Sequence, residues 1–116
     1  MKETEIQKDI LKKLREQNIL CWRVNNMGVP DPRAKGGWRK QNGYNMPGMS
    51  DILCLYKGKF FAIEVKTPER VKNVSDNQKK FLNNIREAGG VGFVATSFDD
   101  VEKWFTSTFG TIIFKK

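Results

Sequence analysis

Histidine is missing altogether from this chain. Its absence excludes Ser-His-Asp hydrolysis, nucleases that rely on a histidine base, and metal centres ligated by imidazole. Cysteine is nearly as scarce. Cys21 and Cys54 both sit inside apolar runs, where they read as small core residues of a reducing cytosol. Two cysteines without a histidine cannot make a structural zinc site. No apolar run approaches the roughly 18 residues of a membrane span, and the charged start from Met1 to Asp9 does not read as a secretory signal. Acidic residues are also few, 13 against 21 basic ones, for a formal net charge of +8. That excess points to a polyanionic partner, a nucleic acid before an anionic membrane surface. Any catalysis must run on carboxylates, lysine, tyrosine or an oxygen-liganded metal.

What is present orders itself into one domain over residues 1–116, the common size for a single core. Ile6, Ile10, Leu11 and Leu14 recur at helical spacing, predicting a helix over Lys2 to Asn18. Ile19 to Val24 is a short strand-like run. Met27 to Ser50 holds five of the ten glycines and three of the four prolines, and reads as a long loop. Asp51 to Tyr56 and Lys59 to Lys66 are strands joined by a tight turn at Lys57-Gly58, a hairpin. Ser75 and Gln78 form a capping-box signature for a helix with Phe81, Leu82 and Ile85 on its apolar face, ended by Gly89-Gly90. Val91 to Ala95 is a core strand. Ser97 and Asp100 open a last helix with Val101, Trp104 and Phe105 inward, and Thr111 to Phe114 offers an edge strand. Both faces of Lys59 to Lys66 are largely apolar, so that strand is covered on both sides. The expected fold is α/β: a mixed central sheet flanked by helices, in the order α-β-β-β-α-β-α.

Glu64 and Lys66 stand two apart on that buried strand, so their side chains leave the same face. Packing gives no reason for either, and burying charge is costly. The short hairpin turn brings Asp51 to the same end of the sheet. Two neighbouring carboxylates repel and raise each other's pKa, a conflict that a divalent cation removes. Hard oxygen ligands favour Mg2+ or Mn2+, and the backbone carbonyl of Val65 is placed to join Asp51 and Glu64 as a ligand. Such a metal polarises a phosphate oxygen, and Lys66 can orient water or stabilise the charge that develops on phosphorus. The literal Pro30-Asp31 pair lies in the Gly/Pro loop without an apolar strand after it, and is set aside as a decoy.

Asp51 followed by Glu64-Val65-Lys66 resembles the PD-(D/E)XK nuclease core. The wider pattern is similar to its VRR-NUC branch, the virus-type replication-repair nucleases. It is carried by Glu3-Thr4-Glu5-Ile6-Gln7, Trp22-Arg23-Val24-Asn25, Gly48-Met49-Ser50-Asp51 and Gln78, and covers Glu3 to about Phe105. Ser50 departs from it, standing where the family usually has proline. The resemblance implies a divalent-metal endonuclease acting on structured DNA, four-way (Holliday) junctions first. A flap or nicking nuclease, or a non-catalytic DNA-binding module on the same fold, are the alternatives. It further implies a homodimer and a cytoplasmic, intracellular protein, phage-encoded members included. Glu3 shares the inward helix face with Ile6, Gln7 and Ile10, and takes the family's glutamate role as a ligand, direct or through water.

Gln78 has two readings, helix cap and site residue. Arg23 and Asn25 share one strand face and can reach phosphate. Arg33, Lys35, Arg39 and Lys40, interleaved with Trp38 and Tyr44, suit a phosphate backbone and exposed bases, whether the 27–50 loop is preformed or orders on DNA. Trp104-Phe105 to Phe109 and Ile112-Ile113-Phe114 are apolar surplus for a dimer interface, unless they pack internally as a last strand.

Overall fold

The first helix, α1 (Glu3–Glu16), buries Ile6, Ile10, Leu11 and Leu14 along one stripe and exposes lysines on the other side. Asn18, with a left-handed φ of 59°, turns the chain out of it. In the computed structural model the described residues are 1–24, 29–30, 32–33, 35–39, 48–111 and 114. Strand β1 (Leu20–Arg23) follows, then two two-residue strands, β2 (Val29–Pro30) and β3 (Trp38–Arg39), which pair antiparallel with each other. This small ribbon stands inside a stretch expected to be plain loop. Two-residue strands carry too little alternation to be seen in a sequence.

The hairpin expected at Lys57-Gly58 is β4 (Ile52–Tyr56) and β5 (Lys59–Val65). Its turn needs positive φ at both central residues, and Lys57 and Gly58 have φ of 49° and 77°. Helix α2 (Asp76–Glu87), strand β6 (Val91–Ala95) and helix α3 (Phe98–Phe109) follow, the last elements among the described residues. The main sheet runs β1-β4-β5-β6, antiparallel except for the parallel pair β5 and β6. It is therefore mixed, and helices cover both faces, the α/β architecture expected.

Odd-numbered residues of β5, Phe61, Ile63 and Val65, join Ile10, Leu14, Val101 and Phe105 in the larger core between the sheet and α1 with α3. The rings of Phe61 and Phe105 stack there, 3.9 Å between centroids and 7° from parallel. Even-numbered residues face α2, where Ala62 and Leu53 meet Phe81 and Leu82. Burying each larger side chain of this kind contributes about 1.5–3 kcal/mol, so the interior of β5 is tightly constrained. A charge emerging from it is a specific feature.

Two expectations at the C-terminal end change. Trp104 was expected inward; it is 42 % exposed, with its ring stacked on Phe93 at 5.0 Å. Phe105 and Phe114 are buried and Phe109 packs against the same core, so most of the apolar surplus is absorbed internally. Ile112 and Ile113, from the expected edge strand, lie outside the described residues.

Candidate active site

Register places Asp51 opposite Glu64. Ile52 pairs with Ile63, and the antiparallel count carries one step further to these two carboxylates. Asp51 is fixed by an N–H of the partner strand: the Val65 amide donates to its Oδ2 at 2.8 Å. Within an extended strand, N–H and C=O of one residue leave the same edge, so the Val65 carbonyl also faces the side occupied by Asp51. Glu64 emerges on the α2 face of the sheet and is 2 % exposed. Its Oε1 accepts from Gln78 Nε2 at 2.8 Å, and Lys66 Nζ stands 4.0 Å from the same oxygen.

Gln78 caps α2 and also contacts Glu64. Its Oε1 accepts from the Ser75 N–H at 2.9 Å while the Ser75 hydroxyl accepts from the Gln78 N–H at 3.1 Å, a complete capping box. With the amide oxygen held by Ser75, the amide nitrogen is the end that reaches Glu64. Cap and site share one side chain because α2 begins directly above the carboxylate.

The electrostatics are strained in one direction. Burial, followed by the Asp51 charge and the hydrogen bond shared with Asp51, pushes Glu64 up to about 8. Burial likewise raises Asp51 above the ordinary carboxylate range, against the Val65 N–H that it accepts. Among the described residues, Glu64 Oε2 finds no donor. A buried carboxylate beside a half-buried one, with one oxygen left over, fits a divalent cation that prefers hard oxygen ligands. A single proton shared between them is the metal-free solution.

Glu3, half-buried in the first turn of α1, lies close enough for its charge to raise both Asp51 and Glu64. Yet among the described residues no three carboxylates come close enough to hold one ion together. Glu5 points to solvent, as its helical position requires.

Of the candidate DNA-contacting residues, Arg23 is exposed at the β1 end that adjoins Ile52, and Arg33 is exposed. Lys35 begins the short turn Lys35–Gly37 and Arg39 ends β3. Asn25, Asp31 and Lys40 lie outside the described residues.

Two features escaped the sequence. Gly48, with φ of 73°, touches the start of α2 so closely that a Cβ would lie 2.4 Å from the Asn77 carbonyl carbon. Lys2, Glu3, Thr4, Thr67 and Arg70 line an open groove. Nothing in the spacing of Lys2 and Arg70 signals that they share it, because α1 and the loop after β5 meet only in three dimensions.

Against known proteins, the sequence profile of the VRR-NUC domain matches residues 1–99. A Holliday junction resolvase RecU of Mycoplasmopsis pulmonis (strain UAB CTIP) is 26% identical over 101 residues, covering 82% of this chain and 64% of the relative. The chain thus spans just under two thirds of that protein's length.

Proposed function

This chain belongs to the VRR-NUC domain family, and on that footing we propose that it is a divalent-metal-dependent endonuclease that cuts branched DNA, four-way junctions first. The observation that carries the reading is the meeting of Asp51 and Glu64 at one sheet end, beside Lys66 and Gln78, with a buried Glu64 oxygen that finds no donor among the described residues. A module that only bound DNA would gain nothing from clustered carboxylates near phosphate. The similarity to a Holliday junction resolvase supports the branched substrate.

In this reading residues 1–116 form one nuclease domain. Asp51, Glu64 and the Val65 carbonyl would hold Mg2+ or Mn2+, with Glu3 acting through water. The cation supplies Lewis-acid polarisation of a phosphodiester oxygen. Lys66 presents its ammonium to the negative charge that develops on phosphorus, or orients the attacking water. Gln78 keeps Glu64 aimed into the site. Arg23, Asn25, Arg33, Lys35, Arg39 and Lys40 bind phosphates. Resolving a four-way junction takes two symmetric incisions, so the working unit is a homodimer, with one site per copy. A DNA substrate places its action inside a cell; among the described residues no helix is long and apolar enough to cross a membrane.

The test is cleavage of labelled junctions, flaps, duplexes and single strands with magnesium or manganese. Junctions should be cut on two strands. Asp51→Asn and Glu64→Gln should abolish cutting while DNA binding persists, and Lys66→Ala should slow turnover by several orders of magnitude, since such a charge contributes roughly 3–4 kcal/mol at a transition state. Full activity in excess EDTA would remove the metal, and nicking of flaps alone would replace the junction.

A further inference from the structure

Cys21 and Cys54 face each other directly across β1 and β4. The phase of that ladder is fixed by the Val24 N–H donating to the Asp51 carbonyl at 2.8 Å, which makes Val24 and Asp51 a hydrogen-bonded pair. Pairs alternate along an antiparallel ladder. Three steps away, Cys21 and Cys54 are therefore a non-hydrogen-bonded pair, the kind whose Cα atoms approach to about 4.5 Å and whose side chains lie closest. That separation falls within the span of a disulfide, though at its short, strained end. Both thiols are free and buried, on the α1 face of the sheet. Arg15 reaches over from α1, its guanidinium donating to the Cys21 carbonyl at 3.5 Å.

We infer that Cys21 and Cys54 form a thiol-oxidation site, closed by a hydroperoxide into a reversible cross-strand disulfide. Cys21 is the attacking sulfur. The Cys54 thiol donates to it and Arg15 stands beside it, and together these bring Cys21 down to about 7 despite burial. Cys54, the donor, is pushed upward by the same contact and by burial. The Cys21 thiolate attacks one peroxide oxygen, the O–O bond breaks, and the departing oxygen leaves as water after taking up a proton. The resulting sulfenic acid is then attacked by Cys54 sulfur, which gives up its proton as the S–O bond breaks and a second water leaves. In sum, two thiols and one hydrogen peroxide give one disulfide and two waters. β1 is an edge strand, so fraying at that edge is enough to admit so small an oxidant. The strain expected of a non-hydrogen-bonded pair keeps the bond easy to reduce. The bridge would enclose the 27–50 stretch together with Asp51, tying both ends of the basic segment to one point. None of this rests on the nuclease reading.

The experiment treats the reduced, folded full chain with hydrogen peroxide at neutral pH, blocks remaining thiols with a maleimide after unfolding, and measures intact mass and bridged peptides. The expected product has lost two hydrogens, gained no oxygen, carries no maleimide, yields a peptide joining Cys21 to Cys54, and reverts with dithiothreitol. Cys54→Ala should stop at a sulfenic acid on Cys21, trapped by dimedone, whereas Cys21→Ala should react about tenfold more slowly or less. Should a variant fail to fold, the mass of the unaltered protein still decides. Two maleimides on every peroxide-treated chain, oxygen addition without bridging, or disulfides only between chains would each overturn the proposal.

Discussion

Replacing Glu64 by glutamine should make the metal-free protein more stable, and by an amount that depends on pH. Glu64 is 2 % exposed and titrates at about 8 in the folded chain against an ordinary 4.5. Below pH 4.5 it is protonated whether folded or not. Between 4.5 and 8 the folded chain keeps a proton that the unfolded chain has released, so stability falls as pH rises through that window. Above 8 the carboxylate is charged in both states and the loss is complete. At 1.36 kcal/mol for each tenfold change in proton affinity, the loss reaches about 5 kcal/mol. Asp51, also raised, adds to it in the same direction. Glutamine keeps the shape and still accepts from Gln78 through its carbonyl oxygen, but cannot ionise. Glu64→Gln should therefore match the parent near pH 5 and exceed it near pH 8. Urea unfolding in EDTA measures this, and with a slope of about 2 kcal/mol/M the midpoints should separate by about 2 M near pH 8. Manganese at about a hundred times its dissociation constant should return about 2.7 kcal/mol to the parent and far less to the variant. A parent midpoint that is flat from pH 5 to 8, with no gain in the variant, would show that Glu64 carries its charge without penalty and would refute the reasoning.

Gly48→Ala should destabilise the fold by at least about 2 kcal/mol, because the left-handed φ alone costs 1–2 and the added Cβ meets rigid backbone of α2; thermal unfolding reads it. Gln78→Ala should cost about 1 kcal/mol through the broken capping box and lower turnover with little change in KM, while Gln78→Glu should keep the cap, since a carboxylate also accepts the Ser75 N–H, but lose the hydrogen bond to Glu64 near pH 8, where a further negative charge faces it. Alanine at Arg33, Lys35, Arg39 and Lys40 together should reduce the slope of log K against log salt by about 0.9 for each lost duplex phosphate contact; an unchanged slope in a fluorescence titration would make the loop a bystander. Sedimentation equilibrium near micromolar protein should find a homodimer, and a strict monomer would count against two-strand cutting of junctions.

The hairpin was legible because its evidence is local: two apolar runs, a Lys-Gly turn, and charges at an end where packing alone would place none. Gln78 could be read both as cap and as site residue because helix periodicity fixes where the third residue of α2 points. What stayed hidden depends on how distant segments meet. Gly48 has an ordinary turn residue's signature, and only the docking of α2 reveals why a side chain is barred there. Cys21 and Cys54 looked like unrelated core residues, since strand register, a property of the pair and not of either run, makes them neighbours. Trp104 misled because helical spacing defines an inward face but not how far a neighbouring Phe93 can cover it.

The Lys57-Gly58 turn lies at the opposite end of the hairpin from Asp51 and Glu64, four strand residues beyond Ile52. At about 3.3 Å per residue, that separation exceeds 10 Å. Both turn residues are exposed. The turn is thus a natural handle: a fluorophore on a residue placed there, or a short spliced-in tether, would follow the protein on a candidate substrate at a distance from Asp51 and Glu64. Strand pairing from Ile52 to Tyr56 would shield the working end from whatever is attached.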